Sequence, residues 1–63
     1  MTPDEYRNVR LAMGLTQPEL ANLLGVRFET ISRRETGKFK ITKEMTLALE
    51  AIAPSGYVVR GGG

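Results

Sequence analysis

Residues 16–37, TQPELANLLGVRFETISRRETG, read as two short helices joined by a tight turn, and the rest of the chain is arranged around the second of them. Thr16-Gln17-Pro18-Glu19 makes a capping box: a capping Thr, a Pro in the first turn where a missing amide does no harm, and a Glu three residues after the cap. Leu20, Leu23 and Leu24 form an apolar stripe, Ala21 offers a small surface for close approach of another helix, and Gly25 supplies a left-handed stop. A helix of about two turns cannot stand alone, so it must be held by packing. Val26 follows as an apolar plug in the turn. The next helix runs from about Phe28 to Thr36, with Ile31 as its inward residue and Arg34 or Glu35 along the same side, and Gly37 stops it. The opposite face carries Phe28, Glu29, Ser32 and Arg33. Arg27 stands where Ser, Thr, Asp or Asn ordinarily caps a helix, so local stability is not the only demand on that position.

Working outward, Thr2-Pro3-Asp4-Glu5 repeats the capping signature and starts a first helix that Gly14 ends. Its inward stripe is Tyr6, Val9, Arg10 and Met13, and an inward Arg requires a carboxylate partner. After the basic loop Lys38-Phe39-Lys40, Thr42 caps a fourth helix with Met45, Ala48, Leu49 and Ile52 facing inward, closed by Ala53-Pro54. Leu47 and Ala51 fall off that stripe, either as ordinary surface residues or as part of a dimer contact. The expected organisation is all-α: a four-helix domain over residues 1–54 and a short tail over 55–63. Tyr57, Val58 and Val59 in that tail have short-strand character, and the tail is either a dimer or protein-partner contact or disordered.

A 63-residue chain holds one domain at most and buries only about 60% of its unfolded surface, so dimerisation is a common remedy for its marginal core. With no Cys and no His, the usual zinc sites and thiolate or imidazole catalysis are excluded; no metal, no cofactor and no enzymatic activity are expected. No apolar run approaches a membrane span and MTPDEYR is unlike a signal peptide, so a soluble, cytoplasmic, nucleoid-associated protein is expected. Net charge is only +2, but residues 27–43 hold six basic side chains against two acidic ones, which localises the positive field.

The pattern T-Q-x-E-L-A-x-x-L-G-V-x-x-x-T-I-S-x-x-E-x-G, spanning Thr16 to Gly37, resembles the Cro and phage-repressor type of helix-turn-helix domain, also called the xenobiotic-response-element family. Gln17, Ala21, Gly25, Val26, Ile31 and Glu35 all fall where that family places them. The resemblance implies a lambda-repressor-like fold that reads double-stranded DNA with its third helix in the major groove, where each base pair displays a distinct donor and acceptor pattern. On that reading Phe28, Glu29, Ser32 and Arg33 face the bases. Arg33 suits a bidentate contact to guanine, and Glu29 suits a cytosine amino group or acts by exclusion. Phe28 has two readings, a thymine-methyl contact or a core residue at the helix start. Thr16 and Gln17 would meet a phosphate at the start of helix 2, Gln17 resembling the family's phosphate-contacting glutamine. Arg27, Lys38, Lys40 and Lys43 would hold the DNA backbone, with Arg34 divided between phosphate contact and packing. The resemblance also implies that Arg10 pairs with Glu35 as a structural ion pair. Arg27, Phe28 and Glu29 depart from the family's usual residues, so the target sequence cannot be borrowed from a relative.

Two functions compete on these grounds. The first is a transcriptional repressor or autoregulator that binds an inverted-repeat operator as a homodimer. The second is an antitoxin or accessory protein whose main partner is another protein, with DNA binding serving autoregulation.

Overall fold

The computed structural model describes residues 1–53, which form four helices: α1 (Pro3–Ala12), α2 (Gln17–Leu24), α3 (Phe28–Glu35) and α4 (Lys43–Ile52). No strand occurs among the described residues, and the class is all-α as expected. The tail at 55–63, with Tyr57, Val58 and Val59, lies outside the described residues.

Local chemistry sets the helix starts. Thr2 accepts from the Glu5 amide while the Glu5 carboxylate accepts from the Thr2 amide, and Thr16 and Glu19 do the same for α2. Hydrogen bonds from the Thr16 backbone and side chain hold the exposed Glu19 carboxylate below its ordinary range. Thr42 caps α4 through the Met45 amide without a reciprocal partner. α3 differs: Arg27 takes the extended cap conformation (φ −81°, ψ 153°) and makes no side-chain cap bond. At the far end, Ala53 leaves the helical region (φ −70°, ψ 142°), as the steric demand of the following Pro54 requires.

The core takes one fully buried side chain from each helix, Tyr6, Leu20, Ile31 and Leu49, with Val9 and Ala21 beside them. Burial of each of the three aliphatic ones stabilises by roughly 1.5–3 kcal/mol. Met13, Leu24, Val26 and Ile52 pack against this cluster from its edge. Two residues expected on inward stripes lie outside: Leu23 is 57% exposed and Ala48 is exposed. At about 100° per residue, a stripe centred on Leu20, Ala21 and Leu24 leaves Leu23 more than a quarter turn away. Leu47 and Ala51 are exposed. α3 packs chiefly on α2 and then on α1, while α4 closes against α2, so the face of α3 opposite Ile31 is uncovered.

Candidate nucleic-acid interface

The turn between α2 and α3 decides how α3 is presented. Gly25 adopts φ +72°, and its amide and that of Val26 donate back to the carbonyls of Asn22 (3.3 Å) and Ala21 (3.0 Å). This pair of bonds closes a helix through a left-handed residue, a conformation in which a Cβ is strained. With Ile31 buried behind it, α3 presents Phe28, Glu29, Ser32 and Arg33, which together with Thr36 and Lys38 line one shallow surface concavity. Phe28 is 50% exposed there, which removes its core reading.

Arg10 braces this helix from behind. Its Nε donates to Glu35 Oε2 at 2.7 Å and its Nη2 to Glu35 Oε1 at 3.0 Å, a two-pronged pairing, while Nη1 donates to the Leu15 carbonyl at 2.8 Å. One guanidinium thus ties α1, the α1–α2 connection and α3 together. The hydrogen bond to Glu35 raises the Arg10 pKa, with burial opposing it.

A helix-turn-helix family profile matches residues 7–52. The chain belongs to the helix-turn-helix family of Cro and phage-repressor type. Comparison with curated proteins and with solved structures gave no match. Members of this family are DNA-binding transcription regulators and generally not enzymes, and DNA is the partner that membership implies.

Within this helix-turn-helix domain, the residues expected at the phosphates are not all at the surface. Thr16, Arg27, Lys38, Lys40 and Lys43 are exposed, the first two at the N-terminal ends of α2 and α3. Gln17 is half-buried and its Nε2 donates to Glu35 Oε1 at 3.2 Å, joining the brace to the start of α2. Arg34 corrects the expected set: it is only 8% exposed and points into the domain, its Nη1 donating to the Tyr6 hydroxyl at 2.9 Å and its Cζ lying 5.8 Å from the Tyr6 ring centre. The reason is its position three residues after Ile31, on the same side of the helix. Its Nε has no hydrogen-bond partner.

Three contacts had no counterpart in the sequence reading: Arg34 with Tyr6, Gln17 with Glu35, and the Phe39 ring under the Arg33 guanidinium, 5.6 Å from centroid to Cζ. The signal for the last was an aromatic residue in an otherwise basic loop. Among the described residues no group of three or more His, Cys, Asp or Glu is placed to hold a metal, and no helix is long and apolar enough to cross a membrane.

Proposed function

We propose that this helix-turn-helix protein is a sequence-specific repressor or autoregulator, working in the cytoplasm at the nucleoid, that binds an inverted-repeat operator as a homodimer with α3 in the major groove. The observation that carries this reading is the open concavity lined by Phe28, Glu29, Ser32 and Arg33 on a helix anchored from behind. Eight residues make α3 about 12 Å long, enough to meet roughly three or four base steps in a groove about 12 Å wide.

In this reading Arg33 donates to O6 and N7 of a guanine, and the exposed Phe28 ring meets a thymine methyl. Glu29 accepts from a cytosine amino group and repels bases that offer only acceptors, while Ser32 adapts. Thr16 and Gln17, with the first amides of α2, meet one phosphate, and Arg27, Lys38, Lys40 and Lys43 flank the groove. In this reading each chain reads one half-site with its α3, two chains together read half-sites roughly 34–36 Å apart, and repression follows from occupying a promoter.

The test is selection of bound sites from random DNA, then stoichiometry on the winning sequence. A palindromic winner bound by two chains is the expected result. No enrichment would overturn the reading in favour of a regulator whose main partner is another protein. On that winner, Arg33→Ala is expected to lose about 1–3 kcal/mol of discrimination at one base pair while sparing unrelated DNA; equal weakening on every sequence would reassign Arg33 to phosphate.

A further inference from the structure

We infer that Phe39 is a positioning residue for Arg33: its ring holds the guanidinium aimed across the reading face while leaving the hydrogen-bond donors free. The inference rests on the reading of Arg33 as the guanine contact. After α3, Gly37 turns the chain at φ +83°, a value that suits a residue without Cβ. The Phe39 amide then donates to the Arg33 carbonyl at 3.1 Å, which returns the Phe39 side chain over the last turn of the helix. Its ring centre lies 5.6 Å from Arg33 Cζ, inside the range over which a guanidinium is attracted to an aromatic face.

The ring has no other evident employment. It is 41% exposed, sits between Lys38 and Lys40, and is not among the side chains packed on the core. Arg33 in turn has no carboxylate within 4.0 Å among the described residues, and its guanidinium makes no hydrogen bond there. That difference in chemistry matters for a base reader. A carboxylate would restrain the arm by occupying its fork, as Glu35 does to Arg10. An aromatic face attracts the cation through the ring quadrupole and uses none of the five N–H groups, so the whole fork stays available for guanine O6 and N7. A side chain so restrained also loses less rotational freedom on binding.

The test uses the full chain with Phe39→Leu and Phe39→Trp, each with and without Arg33→Ala, and reads two quantities. The first is the chemical shift of the Arg33 Cδ protons in the free protein, which sit in the ring current. The second is base discrimination on the selected operator. Phe39→Leu is expected to move those shifts toward their unstructured values and to lower discrimination at one base pair by about two- to five-fold. Affinity for unrelated DNA and the melting temperature should stay as they were, Phe39→Trp should restore both readouts, and Phe39→Leu should add nothing once Arg33 is Ala. Unchanged Arg33 shifts, a uniform loss on all sequences, or an effect that persists without Arg33 would overturn the inference. If Phe39→Leu moves the shifts but Arg33→Ala keeps full discrimination, the ring contact stands and the guanine reading has failed, and the positioning role fails with it.

Discussion

The Arg34 guanidinium is held on the inward side of α3 by the Tyr6 hydroxyl and ring, with Nε left unpartnered. A buried donor that loses its acceptor forfeits its full desolvation free energy, about 1–3 kcal/mol and more when charged. Tyr6→Phe is therefore expected to destabilise the domain by at least about 1 kcal/mol, which for a chain of this size lowers the melting temperature by roughly 4–8 °C. Thermal unfolding followed by circular dichroism measures it; an unchanged midpoint would mean that the hydroxyl is not what holds Arg34. At this scale the sequence was only partly legible. Arg10 on an apolar stripe announces its need for a carboxylate, because a lone inward charge is not tolerated. Arg34 announces nothing of the kind: helical period allowed either face, and the acceptor that fixes it lies 28 residues away.

The α3 helix starts without a side-chain cap, whereas α1, α2 and α4 each begin with a capping Thr. An exposed Arg in that position leaves first-turn amides to water and adds positive charge where the helix end is already positive. Arg27→Ser is expected to stabilise the domain by about 1 kcal/mol. If Arg27 meets a phosphate as proposed, the same change reduces the slope of log affinity against log salt by about 1. Urea unfolding and a salt titration of operator affinity check the two halves separately. A Ser variant no more stable than the parent would show that the missing cap is not a weakness of α3. The absence of a cap was readable from the residue type, and so were the helix starts, because capping is settled within three residues of the cap. The exposure of Leu23 was not, since the stripe of α2 is centred by what α3 presses against.

For the molecule as a whole, the Arg10 and Glu35 pair joins α1 to α3 through side chains only 10% and 4% exposed. Arg10→Met leaves the Glu35 carboxylate buried without its ion-pair partner, Gln17 alone still donating to it, and frees the Leu15 carbonyl, so a loss of about 3–5 kcal/mol is expected. A domain of this length has roughly 3–9 kcal/mol to lose, so the variant should be largely unfolded at modest temperature. Arg10→Met with Glu35→Met should recover much of that loss, since replacing both charges by apolar groups is often neutral. Denaturant midpoints of the two single variants and the double decide it: additive losses would mean that the charges do not depend on each other.

Sequence alone determined the four helices of the described residues, three of their caps, the glycine stops of α1, α2 and α3, and through the Thr16 to Gly37 pattern the family. These are properties of residues a few positions apart, where backbone hydrogen bonding and left-handed turns are decided by local chemistry. The pairing of Arg10 with Glu35, 25 residues apart, was implied by the family pattern, whereas tertiary structure decided that Gln17 meets Glu35 at a separation of 18 residues and Tyr6 meets Arg34 at 28. Those partners are selected by the angle at which helices cross, and that angle comes from ridges and small residues packing across three elements at once. For that reason the exposed face of α3 was visible in the sequence as a set of residues, while the inward turn of Arg34 and the placing of Phe39 against Arg33 became visible only in the folded chain.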